Sequence, residues 1–128
     1  MTSLDTTEPP VARTSLGELV GRHRRGVQLF GGIPYAAAPV GERRFAPPAP
    51  PEPWEGVRDA RRFSPAAPQL PGEGMTDRLP VRWNEDCLYL NVVTPACDNA
   101  RRPVYLWIHG GAYQHGQGAL PWYDGTSF

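Results

Sequence analysis

Apolar positions along this chain fall in short runs and do not follow a helical period. Val11-Ala-Arg-Thr14, Gly17-Glu-Leu-Val-Gly21 and Gly26-Val-Gln-Leu-Phe30 are separated by glycine and polar residues, which predicts a small antiparallel β unit. Gly31-Gly-Ile-Pro-Tyr35 then predicts a turn into a proline-rich meander that reaches about Arg82. Phe45, Trp54, Val57 and Phe63 are spaced along that meander as anchors for an otherwise irregular segment, and Leu70–Arg82, with no periodicity, reads as a loop. Two stronger strands follow. Cys87-Leu-Tyr-Leu-Asn-Val-Val-Thr94 alternates in part and is rich in β-branched and aromatic residues. Val104-Tyr-Leu-Trp-Ile108 is continuously apolar, the pattern of a strand buried on both faces of a sheet. Asp98-Asn99 marks a turn between them. No amphipathic helix of ordinary length and no internal repeat is visible, and residues 1–10 read as a disordered leader.

Composition sharpens this picture. The 16 Pro and 14 Gly make up about 23% of the 128 residues, against an average near 12%. Long regular elements are therefore excluded from the meander, and the core-forming residues are too few for a self-sufficient domain. The expectation is an extended segment that packs against more protein. Formal net charge is zero, with 13 basic and 13 acidic residues, so neither nucleic acid nor an anionic membrane surface is indicated as a partner. All the basic residues are Arg, and the pairs Arg24-Arg25, Arg43-Arg44, Arg61-Arg62 and Arg101-Arg102 read as solvated surface or local ion pairs. No signal peptide and no run long enough to span a bilayer is visible, which makes the cytoplasm the default location. Cys87 and Cys97 then read as free thiols.

The candidate chemistry lies where the last apolar run enters His109-Gly-Gly-Ala112. A turn of this composition can direct backbone N–H groups at a developing negative charge, as an oxyanion hole for acyl transfer requires. Glycine at 110 and 111 permits φ values that a side chain would forbid, and Ala112 obstructs little. The attacking half of such a site is not visible. Gly-x-Ser-x-Gly occurs nowhere, and Ser3, Ser15, Ser64 and Ser127 all lack an elbow context. His23 and His115 have no partner at a recognisable spacing, no His/Cys cluster has metal-ligand spacing, and the glycines from 110 to 118 lack a Walker lysine. No metal or cofactor is implied.

Taken in order, the motifs resemble the type-B carboxylesterases, the α/β-hydrolases that include cholinesterases and bacterial para-nitrobenzyl-esterase-like enzymes. The resemblance covers residues 11–128 and rests on Phe30-Gly-Gly-Ile-Pro-Tyr-Ala36, Pro39-Val-Gly41, Arg44-Phe45, Pro53-Trp54, Asp59-Ala60, Phe63-Ser-Pro65 with Gln69, Glu85-Asp-Cys-Leu-Tyr-Leu-Asn91, Trp107-Ile-His-Gly-Gly-Ala112 and Tyr123-Asp-Gly125. It implies the N-terminal portion of an α/β-hydrolase fold, mostly strand and irregular here: a small β unit, a proline-rich meander and two strands of the central sheet. The domain would be truncated before its nucleophile elbow, with its C-terminal part the missing partner.

The resemblance also implies residue roles. The N–H groups of Gly111 and Ala112 would be oxyanion donors and Gly110 would let the chain approach the substrate closely. His109 would orient the loop, and Tyr113 would wall the acyl pocket. Arg44 and Glu85 would form a structural tie, since a carboxylate held in an ion pair makes a poor general base. Ala67 stands where many relatives carry a cysteine, so Cys87 lacks its family partner. Trp83 reads as packing and not as a cation site. The implied parent reaction is hydrolysis of a small-molecule carboxylic ester through an acyl-serine, with the isolated chain inactive and folding poorly. The alternative is a non-catalytic, cholinesterase-like binding or interaction protein; complementation by a separately encoded second half is a further one.

Overall fold

Local chain chemistry produces two hairpins, and strands from far along the chain complete each into a sheet. In this computed structural model, residues 8–70 and 80–128 are described. Six strands form: β1 (Val11–Thr14), β2 (Gly17–Val20), β3 (Arg22–Arg24), β4 (Val27–Pro34), β5 (Val57–Asp59) and β6 (Tyr89–Thr94). Single 3₁₀ turns occur at Gly41–Arg43, Pro121–Tyr123 and Gly125–Ser127. One sheet has the order β1-β2-β5 and the other β3-β4-β6. The chain passes from one to the other at Gly21, where a side chain would strike the Leu29 carbonyl and the Phe30 ring.

The turn residues account for the hairpins. Between β1 and β2 the Thr14 hydroxyl donates to the Gly17 carbonyl and accepts from the Leu16 N–H. Between β3 and β4, Arg25 (φ 47°) and Gly26 (φ 82°) both occupy the left-handed region, as a two-residue turn matched to strand twist requires. The second sheet is antiparallel throughout, whereas β5 joins β2 in parallel, so the small β unit is not purely antiparallel. β3 is a further addition: Arg22-His-Arg24 carries no apolar signal and forms a strand because the turn delivers it to β4.

Gly31-Gly32 does not turn the chain into the meander. β4 continues through Pro34, and its register against β6 shifts by one residue between Phe30 and Ile33, a bulge at the glycine pair. Both glycines are required by close neighbours. The Gly31 N–H donates to the Ala60 carbonyl at 2.7 Å, and a Cβ there would lie 2.8 Å from the Arg62 carbonyl. Gly32 has φ 68°, and a Cβ on it would overlap the Ser64 hydroxyl.

The core is small. Leu19, Phe30 and Ala60 are buried together, with Ala12, Ile33 and Trp54 packed against them. Burying each of the two large side chains contributes roughly 1.5–3 kcal/mol. Trp54 is the meander's main anchor: its Nε1 donates to the Glu18 carbonyl at 2.8 Å and its ring lies over Gly17. The Arg58 guanidinium sits 5.4 Å from the Trp54 ring and 5.9 Å from that of Tyr89 in β6, so one cation joins the two sheets. Phe63 packs near Gly31, but Phe45 is 96% exposed at φ 60° and anchors nothing among the described residues. Trp83 forms a bridge with Ala66 and stays half exposed.

Two expectations are met differently. Residues 1–7 of the expected leader and 71–79 of the expected loop lie outside the described residues. Within the leader's bounds, Pro10 is buried and its carbonyl accepts from the Gly21 N–H at 2.8 Å. The strand expected from Cys87 starts at Tyr89, while Val104–Ile108 joins no ladder and is exposed throughout, from 57% at Trp107 to 91% at Val104. A strand buried on both faces needs ladder partners at its edges and layers over its faces, and the described residues supply neither to Val104–Ile108. No helix among the described residues is long and apolar enough to cross a membrane.

Candidate active site

Backbone geometry defines the site at His109–Gly118. Gly111 has φ 139°, a value close to glycine-only, and a Cβ on it would fall inside the His115 carbonyl. Ala112 (φ 54°) and Tyr113 (φ 60°) follow in the left-handed region, which costs about 1–2 kcal/mol for each side-chain-bearing residue. Two bonds close the turn onto the Gly111 carbonyl: Gln114 N–H at 2.9 Å and His115 N–H at 3.2 Å. Gly110 differs from the expectation. It lies outside the positive-φ region and a Cβ there would meet nothing, so only Gly111 of the pair needs to be glycine for the fold of the loop.

Donors remain free in this turn. Among the described residues, no acceptor engages the N–H groups of Gly111 and Ala112. The ten residues from His109 to Gly118 include no Asp, Glu, Lys or Arg, so the loop itself carries no fixed carboxylate that would oppose an anion. The His109 ring Nδ1 lies 2.9 Å from the Gly110 carbonyl. His115 is half-buried, and Tyr113 is fully exposed with no described wall opposite it.

Neutral amides tie the loop to the rest of the fold. The Gly116 N–H donates to Gln69 Oε1 at 3.0 Å, while Gln69 Nε2 donates back to the Gly116 carbonyl at 2.9 Å. Asn91 in β6 accepts from the Gly32 N–H at 3.0 Å and reaches the Gly118 carbonyl at 3.4 Å. Beyond the loop, Leu120 is buried, and Asp124 accepts from both Arg24 and Arg25 at 3.1 Å and from Thr126 N–H. Desolvation pushes the Asp124 carboxyl up, but the Thr126 bonds and the two guanidinium groups bring it below the ordinary carboxylate value.

The remaining predicted residues lie apart from the loop. Arg44 and Glu85 pair at 3.3 Å across the meander, both largely exposed. Cys87 is half-buried and unpaired, and Cys97 is exposed and unpaired. Burial, and then the Asp86 charge, raise the Cys87 thiol above its ordinary value, which disfavours the thiolate a nucleophile needs. A pocket of about 200 Å³ lies in the proline-rich segment, lined by residues such as Pro39, Arg43 and Leu88, none of them from the loop. In the sequence, Gln69, Asn91 and Asp124 stand only as members of motifs. Their signal was amide or acid residues inside those motifs, without a sequence cue to their partners.

Comparison with known proteins agrees with this architecture. A profile described as the carboxylesterase family matches residues 8–128. The para-nitrobenzyl esterase of Bacillus subtilis is 44% identical over 91% of this chain and 24% of its own length. The fumonisin B1 esterase of Sphingopyxis macrogoltabida is 40% identical over 95% of this chain and 23% of its own. A crystal structure of the Geobacillus stearothermophilus carboxylesterase matches with a TM-score of 0.80 at 50% identity, covering 91% of this chain and 22% of that one. A para-nitrobenzyl esterase structure matches with a TM-score of 0.82 at 41% identity, over 94% and 25%. The chain thus spans about a quarter of the relatives it matches. On the profile, the relatives and the shared fold together, this chain belongs to the carboxylesterase family and is a portion of an α/β-hydrolase fold.

Proposed function

We propose that this chain supplies the oxyanion-binding part of a serine carboxylesterase site acting on small-molecule carboxylic esters. The observation that carries the reading is the pair of unengaged N–H groups at Gly111 and Ala112, presented by a turn whose backbone only glycine can start. In the reaction a serine Oγ adds to the ester carbonyl, and the carbonyl oxygen takes the negative charge. Two N–H donors at that oxygen stabilise the tetrahedral species more than the planar ester, which accelerates the step. Collapse expels the alcohol and leaves an acyl-serine, and water then repeats the sequence to release the acid. His109 supports the loop, Gly110 leaves room for the substrate, Tyr113 walls the acyl side, and Arg44–Glu85 is a structural tie. The nucleophile, base and orienting acid come from outside these 128 residues, which contain no Gly-x-Ser-x-Gly. The 128 residues alone are therefore inactive, and their partner is the rest of the same domain. Two unpaired thiols suit a reducing, cytoplasmic setting.

The test is a chimera in which residues 8–128 replace the matching segment of the Bacillus subtilis para-nitrobenzyl esterase. The expected result is hydrolysis of a para-nitrobenzyl ester, lost by about 100-fold or more on Gly111→Pro, which removes one donor and forbids the φ. Unchanged turnover by the proline variant, or robust turnover by the 128 residues alone, would overturn the reading.

A further inference from the structure

We infer that Gln69 is a positioning residue for the oxyanion loop, acting through the peptide unit of Gly116. The inference rests on the role proposed above for Gly111 and Ala112. Gln69 engages both polar groups of a single residue, donating to the Gly116 carbonyl at 2.9 Å and accepting from its N–H at 3.0 Å. Of the side chains, only a carboxamide combines a donor and an acceptor in one plane with that spacing, so the pair reproduces a β-ladder contact without a strand. Its second Nε2 hydrogen is directed to the Ala67 carbonyl at 3.1 Å, which holds the amide in this orientation. Gln69 is half-buried and Gly116 buried, so water competes poorly for the pair.

The contact reaches the donors through packed backbone. Gly116 (φ 106°) lies so close to Gly110 that a Cβ on it would stand 2.7 Å from the Gly110 carbonyl and 3.0 Å from His109 Nδ1. One residue earlier, the His115 N–H bonds the Gly111 carbonyl at 3.2 Å. Displacing Gly116 therefore displaces the Gly110–Gly111 peptide, and with it the N–H groups of the turn. Ala112 and Tyr113 occupy left-handed conformations that need such outside support. Gln69 comes from the segment after β5, 47 positions away, and so fastens the loop to a part of the fold that does not share its turn.

The chimera with para-nitrobenzyl esterase tests this directly. Gln69→Ala is expected to lower kcat by about tenfold or more with KM within about threefold, because a misplaced donor is missed mainly in the transition state. Values of kcat within twofold of the parent for Gln69→Ala, while Gly111→Pro is inactive, overturn the positioning role and leave the oxyanion reading standing. An active Gly111→Pro variant refutes the oxyanion reading instead. Gln69→Glu, nearly isosteric, guards against a misfolded alanine variant. In the chimera labelled with ¹⁵N-glycine and ¹⁵N-alanine its carboxylate accepts from Gly116 N–H but offers no donor to the carbonyl until it protonates, near pH 4.3 for an ordinary glutamate. The amide resonances of Gly116, Gly111 and Ala112 are then expected to titrate together, with no such transition in the parent chain. Titration of Gly116 alone, or of none of the three, refutes the inference.

Discussion

Replacing Gly111 by alanine adds one methyl group at a φ of 139°, in a direction occupied by the His115 carbonyl, with the His115 carbonyl carbon 2.7 Å and the Gly116 nitrogen 3.5 Å from the new atom. All three neighbours are backbone, so no rotamer change can make room. Keeping the turn costs about 1–3 kcal/mol for the backbone conformation. Opening it sacrifices the two bonds accepted by the Gly111 carbonyl, worth about 1 kcal/mol each. The two costs are alternatives and do not add: the overlap with the His115 carbonyl makes keeping the turn the costlier course, so the turn opens and the oxyanion donors it presents are misplaced, an effect of about 100-fold on rate. Gly110→Ala is the control, since a Cβ there meets nothing and the backbone is not in the positive-φ region. The assay is steady-state hydrolysis by the para-nitrobenzyl esterase chimera. The alanine at 111 should lower kcat about 100-fold, whereas the alanine at 110 should leave kcat within about tenfold and act mainly on KM. A Gly111→Ala enzyme within threefold of the parent, or a Gly110→Ala change that proves the more damaging to kcat, would refute the geometric reasoning.

Four further outcomes are expected. Phe30→Ala empties a site in the small core beside Leu19 and Ala60 and should cost about 3–5 kcal/mol, read as a lowered urea midpoint of the chimera. Glu85→Gln breaks an exposed pair and should change stability by less than about 1 kcal/mol and leave the chimera's kcat unchanged; a large fall in kcat would give Glu85 a chemical role. The Asp98 carboxyl is held at about 2, first by the Arg102 guanidinium and then by the Ala100 N–H. Because its folded value lies below the unfolded one near 3.9, its contribution is full above that value and is lost as pH falls toward 2. Asp98→Asn should therefore destabilise at pH 6 and converge with the parent near pH 2, as followed by denaturation midpoints. Leu106→Lys interrupts the exposed run Val104–Ile108 and should lower dye binding by the isolated chain and its self-association in sedimentation; unchanged values would place the adhesive surface elsewhere.

What the sequence conveys is mostly local. β1, β2 and the turn-forming glycines follow from short apolar runs punctuated by residues with known turn preferences. Gly111 follows too, because a His-Gly-Gly-Ala step after an apolar run has few other uses. The glycine pair at 31–32 was legible as special but not as a bulge, since its cause is the approach of Arg62 and Ser64 from a distant segment. β3 is not legible in the sequence because a polar Arg-His-Arg run becomes a strand only through its partner. Asp124 bonds Arg24 and Arg25 across about 100 positions, and periodicity carries no such information. Val104–Ile108 is the reverse case. Its continuous apolar pattern encodes an environment on both faces, and pattern alone cannot supply the layers that would bury it.

The pairing of β4 with β6 also has a consequence for synthesis. β4 ends at Pro34 and β6 begins at Tyr89, so an elongating chain at about 5–20 residues per second waits roughly 3–11 s for that edge to be covered. During that interval the hairpin of β3 and β4 can close and Phe30 can pack on Leu19, which is already made, but the β4 edge that later takes β6 has no ladder partner. Apart from β5, which pairs with β2 in the other sheet, the proline-rich meander that must emerge first has few stretches able to form a competing strand, since proline cannot donate to a ladder. A segment that looks like mere connection thus offers the waiting β4 edge few wrong partners.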